Sequence, residues 1–145
     1  MLLAHVLLPL VLALLPQPRP EVAAAAVLHD WDDRRAAAWA AGDAAALRSL
    51  YVPGSTAGRA DVRLLRQWLR EARRPDRLEM QLRCVAVRRA ERRRLVVIVT
   101  DRVVGAGLDR PSTWRLEMVG HGREWRMAQV SPARTTSCTV RSRNE

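Results

Sequence analysis

The apolar positions along this chain change their spacing twice. Residues 2–15 (LLAHVLLPLVLALL) are almost continuously apolar. The run falls short of the roughly 20 residues that a membrane-spanning helix needs. Pro16-Gln17-Pro18-Arg19-Pro20 follows, and no helix is expected to cross such a segment intact. Ala23 to Ala26 then offers an A-x-A cleavage pattern. The start therefore reads as a secretory leader, although no Lys or Arg precedes its apolar stretch. We expect an exported or envelope protein; the alternative is a cytoplasmic protein whose apolar tail is disordered or touches a membrane. No Cys lies near residue 20, so a lipoprotein anchor is not expected.

From residue 23 the spacing becomes helical. Residues 23–41 contain no Gly or Pro, and at about 100° per residue Leu28, Trp31, Arg35, Ala38 and Trp39 share one stripe. Asp30 and Arg34 form an i,i+4 pair on the outer side. Gly42 suits the left-handed residue that closes a helix, and Asp43 suits the cap of the next. That second, short helix is predicted over Ala44 to Tyr51, burying Leu47, Leu50 and Tyr51, with Pro53-Gly54 ending it. A third is predicted over Ala60 to Arg73. Val62, Leu65, Trp68, Leu69 and Ala72 form its apolar side. Arg59, Arg63, Arg66, Arg70 and Arg73 form a narrow stripe opposite, and Pro75-Asp76 terminates it.

From Leu78 the pattern alternates or is continuously apolar, which predicts strands. Four are expected, over about 77–88, 95–105, 113–120 and 124–130. Short polar or Gly-bearing connections make them an antiparallel meander. The chain then divides into a leader and Pro-rich linker (1–22), one α+β domain (23–131) and a flexible tail (132–145).

Two stretches carry a family resemblance. RRAAAWAAGDAAALRSLYVPGS (34–55) closes a long helix in a Gly-Asp step and delivers a Tyr and a small-residue turn. GREWRMAQV (122–130) places a Trp after a glycine-bearing turn. Together with the element order, these resemble the nuclear transport factor two-like superfamily over about residues 24–131. The resemblance implies a cone-shaped, cystatin-like fold: three N-terminal helices packed in a curved four-stranded antiparallel meander, with an apolar pocket. Members of that superfamily include polyketide cyclases, ketosteroid isomerases, dehydratases and pocket-bearing domains without known catalysis, so fold alone does not assign a reaction. Many pair through the open sheet face, which implies a homodimer. The isomerase type needs an acidic base and hydrogen-bond donors for an enolate oxygen; the residues here do not place both sets.

Composition sharpens this picture in one respect. The length of 145 residues suits one core, but all 25 basic residues are Arg against 15 acids, a net charge of +10. Replacement of Lys by Arg throughout is what a GC-rich coding sequence produces; the charge nonetheless attracts anions at low salt. The two cysteines, Cys84 and Cys138, form no CxxC, and His5, His29 and His121 are scattered, which argues against a metal site. No cofactor motif is present. In an oxidising compartment a Cys84–Cys138 bond is allowed but not required.

Asp101, within the apolar strand LVVIVTDRVVG, is the weak candidate for a catalytic base. The ordinary alternative is a half-exposed position or one paired with a nearby Arg. Arg35, between Trp31 and Trp39 on the first helix, is either a pocket cation that orients an acidic ligand or pairs with Asp101, or a residue whose stem lies over a Trp while its head reaches solvent. Trp31, Trp39 and Tyr51 join Arg35 and Asp101 as candidate ligand-binding residues, with core packing the commoner role for such side chains. His29 and His121 lack neighbours that would tune them. The third-helix stripe is a polyanion-binding candidate, since like charges at helical neighbours cost roughly 0.2–0.5 kcal/mol each. Arg92 and Arg93, in the run Arg88–Arg94, extend it; a solvated basic face is the alternative. No aromatic residues interleave these clusters, which argues against nucleic acid.

The reading that follows is a non-catalytic pocket domain for a small apolar or weakly acidic ligand or an envelope protein partner. The alternatives are a cyclase-, isomerase- or dehydratase-type enzyme with Asp101 as base, and an arginine-mediated binder of polyanions or anionic membranes. Membrane contact is expected only through an uncleaved leader or the basic faces.

Overall fold

The computed structural model describes residues 19–72, 79–104 and 111–134. The leader, Arg73, the Pro75-Asp76 stop, Cys138 and the tail from residue 135 lie outside them. Three helices pack on a four-stranded antiparallel meander sheet.

Helix α1 spans Pro20–Ala41. It begins three residues before the expected start, inside the segment read as a linker. Proline is favoured at a first helical position, where its missing N–H is not needed and its fixed φ is already helical. Ala24, Leu28, Trp31, Ala38 and Trp39 are all at most 5% exposed, so the helical stripe is buried as the spacing indicates. Each large apolar side chain so buried contributes roughly 1.5–3 kcal/mol relative to exposure. Asp30 and Arg34 pair at 3.1 Å on the outer side.

Gly42 closes α1 with φ of 67°, in the left-handed region, and Asp43 caps helix α2 (Ala44–Ser49) by accepting from the Ala45 and Ala46 N–H groups. The second helix is shorter than expected because residues 50–52 turn aside to pair with the sheet. The Met127 N–H donates to the Leu50 carbonyl and the Val52 N–H to the Met127 carbonyl, both at 2.9 Å. Helix α3 (Thr56–Arg70) starts four residues before the expected Ala60, because the Ser55 hydroxyl caps it by accepting from the Gly58 N–H. Ala72, expected on its apolar side, is exposed, lies beyond the helix and has φ of 53°.

Strands β1 (Glu79–Glu91), β2 (Arg94–Val104), β3 (Ser112–His121) and β4 (Glu124–Pro132) lie in the order β1-β2-β3-β4. Two-residue turns at Arg92-Arg93 and Gly122-Arg123 join the first and last pairs. Register shifts interrupt β1 at Leu82/Cys84 and Val87/Arg89, and the β3–β4 pair at Glu117/Met118. Such bulges bend a strand and increase its twist. On β2 the alternate residues Leu95, Val97, Val99 and Asp101 are all buried, a period of two that puts them on one face. Leu116 and Met118 of β3 and Met127 of β4 join the same core as Leu28, Trp31 and Trp39.

Candidate functional site

Asp61 is the centre of the polar network, and it sits on the inner side of α3, 8% exposed. Arg35 reaches it from α1 in a bidentate pair: Nε donates to Oδ2 and Nη2 to Oδ1, both at 2.7 Å. The Tyr51 hydroxyl donates to Oδ2 at 2.8 Å and the Trp39 indole N–H to Oδ1 at 3.2 Å. Four donors from two segments, three on α1 and one from the 50–52 turn, thus converge on one carboxylate. A buried charge is tolerated only when paired and hydrogen-bonded in this manner.

The network has consequences for both partners. Burial opposes the Arg35 charge, but hydrogen bonding and attraction to Asp61 outweigh it and strengthen the hold on its proton. Burial and the Asp61 charge push the Tyr51 phenol above its ordinary range, so its hydroxyl stays a donor. The Arg35 guanidinium also lies 5.8 Å from the Trp39 ring centre. Trp31 meets Tyr51 edge-on at 5.5 Å, and its indole N–H donates to the Leu50 carbonyl at 2.9 Å.

Beside this network lies a cavity of about 420 Å³, at the end of the sheet where β1 begins and β2 ends. Its polar lining comprises Asp32, Arg35, Tyr51, Asp61 and Asp101. Trp31, Trp114, Leu64, Met80, Leu116 and Met127 supply apolar wall. The volume falls within the several-hundred-Å³ range of small-molecule sites.

Asp101 is 5% exposed, and its Oδ1 is buried without a hydrogen-bond partner. Burial pushes this carboxyl up to about 6, assisted by the nearby Asp32 charge and resisted by its own backbone N–H, the Trp114 side chain and Arg35. Asp32 is differently placed: it is buried but accepts from the Met80 N–H at 2.8 Å, which ties the start of β1 to α1.

Of the residues singled out from sequence, Trp31, Arg35, Tyr51 and Asp101 line this one cavity. Trp39 does not: it is in the core behind, edge-on to Trp68 at 5.5 Å. Asp101 is not half-exposed, and Arg35, for which a pairing with Asp101 was one of the alternatives, pairs with Asp61 instead. Arg59, Arg63, Arg66 and Arg70 share a separate groove on the outer side of α3. Arg92 and Arg93 line a third depression at the hairpin tips, with Gly120, Arg123 and Trp125. His29 and His121 are both exposed and lie outside the cavity. Among the described residues no three His, Cys, Asp or Glu side chains gather as a metal site.

Asp61 and Asp32 were missed by pattern alone. Asp61 did carry a signal. It lies next to Val62 and four residues before Leu65, on the apolar side of a helix whose other charges face outward.

Compared with protein-family models and with curated proteins, the chain matches none. The class is therefore defined by the fold itself: an α+β domain with three N-terminal helices on a four-stranded meander.

Proposed function

We propose that the protein is a pocket-bearing domain of the nuclear transport factor two-like type that binds a small apolar molecule carrying a hydroxyl or amino group. The observation that carries the reading is the unpartnered Oδ1 of Asp101 at the wall of the cavity. A buried acceptor without a donor costs about 1–3 kcal/mol, and a ligand donor would recover it. Three carboxylates and one guanidinium line the space, and that guanidinium is already engaged by Asp61. This charge balance favours a neutral or cationic ligand over the weakly acidic one.

The test is a thermal-shift screen with matched sets of small cyclic alcohols, amines, carboxylic acids and hydrocarbons. Alcohols and amines should raise the melting temperature, and Asp101→Leu should erase their advantage over the hydrocarbons. A screen in which nothing shifts, or in which the acids bind best, would sink the proposal.

A second reading rests on the same carboxyl. A pKa near 6 suits a general base at neutral pH. Proton abstraction beside a carbonyl also needs donors for the developing oxyanion. Arg35 and Tyr51, the donors considered for that role, both donate to Asp61. Binding without turnover is therefore the better-supported reading. Deuterium incorporation at the α-carbon of cyclic ketone probes, dependent on Asp101, would reverse that order.

A further inference from the structure

The outer side of α3 forms a second concave feature, of about 810 Å³, between that helix, α2, the loop joining them and β4. Six arginines line it: Arg59, Arg63, Arg66 and Arg70 from α3, Arg48 from α2 and Arg126 from β4. Among the described residues, no carboxylate pairs with any of them. Asp61, on the same helix, faces inward and is engaged by Arg35, Trp39 and Tyr51. The charge of the groove is thus not neutralised within the described fold, although like charges on one helix face weaken it.

Two details separate this groove from an ordinary solvated face. The first is Arg126, which is half-buried and whose Nε is buried without an acceptor. An anionic oxygen is the complement such a group lacks. The second is spacing. Steps of four, three and four residues separate the α3 arginines, placing a guanidinium roughly every 5 Å over about 16 Å of helix. That ladder, with Arg48 and Arg126 facing it across the groove, presents more donors than one phosphate can engage.

We propose that the groove binds a multiply phosphorylated small molecule, in which several phosphate groups are linked or carried on one compact body. Guanidinium forks match phosphate oxygens bidentately. A flat anionic membrane fits less well, because arginines from three elements line a concavity rather than a plane. Nucleic acid fits less well too: the groove's aromatic residue, Tyr51, is 6% exposed with its hydroxyl on Asp61, leaving no ring for base stacking.

The experiment is isothermal titration of the full chain with tripolyphosphate and with inorganic phosphate, at low and moderate salt. Parallel titrations use phosphatidylserine-containing vesicles and oligo-dT. Tripolyphosphate should bind at least about tenfold more tightly than phosphate and weaken as salt rises. Arg63→Glu/Arg66→Glu should weaken it by at least about tenfold, whereas Arg92→Glu/Arg93→Glu, with the same change in net charge, should change it less than about threefold. Arg63→Gln/Arg66→Gln replaces the first variant if unfolding curves show that it is misfolded. Equal losses from both sites would mean that binding follows net charge and would overturn the proposal. So would undetectable tripolyphosphate binding, or vesicles or oligo-dT binding in its place. The cavity beside Asp101 plays no part in this test, so its failure and that of the pocket reading are distinguishable.

Discussion

Replacing Asp101 with asparagine should make this protein more stable at neutral pH, the reverse of what removing a charged group from a protein's polar network usually does. The wild-type carboxyl is raised from 3.8 to about 6 by burial. A shift of about two units corresponds to roughly 3 kcal/mol of preference for the protonated form. The asparagine amide would still bring two polar groups into the site, so the expected gain is smaller, about 1–3 kcal/mol at pH 7.5. For a domain of this size that is about 5–10 °C in melting temperature. The sign with pH follows from linkage. A carboxyl whose folded pKa is raised destabilises the native state fully above about pH 6; the penalty shrinks as the pH falls through the range between the two pKa values and vanishes only below about 3, where both states are protonated.

Wild type and Asp101→Asn should therefore be melted side by side at pH 7.5, 5.5 and 4, followed by far-ultraviolet circular dichroism. The difference between the two proteins isolates Asp101 from the other carboxyls, which titrate in both. It should be largest at pH 7.5, about two-thirds to three-quarters of that at the middle value and small at pH 4. An asparagine variant less stable than wild type at pH 7.5 would show that Asp101 has partners that matter more than its desolvation. A difference that did not move with pH would show that its protonation is not perturbed. Either result removes the strained carboxyl on which the pocket reading stands.

Asp61→Ala should lower the unfolding free energy by about 3–5 kcal/mol in urea titrations, because it strands the Arg35 guanidinium along with the Tyr51 and Trp39 donors. Gly58→Ala should cost about 1–3 kcal/mol: a Cβ there would lie 2.7 Å from both Cβ and Cγ of Tyr51, atoms too near the backbone to swing away. The Trp31 ring rests on Tyr51, so a change in tryptophan fluorescence should accompany the loss. Asp43→Ala should cost about 1 kcal/mol by freeing the Ala45 and Ala46 N–H groups, with cavity ligand responses unchanged.

What was legible in the chain was whatever neighbouring residues decide among themselves. The Gly42-Asp43 step is such a case: one residue tolerates positive φ, the next caps, and the structure shows both. The strands were legible because short apolar runs rich in β-branched residues, such as Leu95 to Val99, are separated by short polar or glycine-bearing connections, which suits a meander better than helices. The pattern did not place Asp101: it left a half-exposed or Arg-paired position as the ordinary reading, whereas the structure buries the side chain with its Oδ1 unpartnered. The starts of α1 and α3 were misplaced because Pro20 and Ser55 act as helix starters, whereas the pattern treated the residues around them as loop. Asp61 was hidden for a different reason. Its partner Arg35 is 26 residues away, and only the packing of α1 against α3 brings the two together. A rule that turns charges outward misses any charge neutralised by tertiary contact.

The two recesses are not independent consequences of the fold, because Tyr51 lines both and α3 contributes charges to each. On its inner side, Asp61 is held by Arg35 of α1 and by Tyr51, which itself lies beside Met127 of β4. These bonds fix the rotation of α3 about its own axis. A helix held on one side by a bidentate ion pair presents its opposite side at a defined angle, so Arg59, Arg63, Arg66 and Arg70 face Arg48 and Arg126 only while that hold persists. Neutralising Asp61 with Asp61→Asn should consequently weaken tripolyphosphate binding in the outer groove, even though Asp61 is not among the residues lining it. The measure is the ratio of affinities for wild type and variant under conditions where both are fully folded. Unchanged affinity would mean that the α3 arginines act as a flexible cloud of charge, and that the inner network has no part in arranging them.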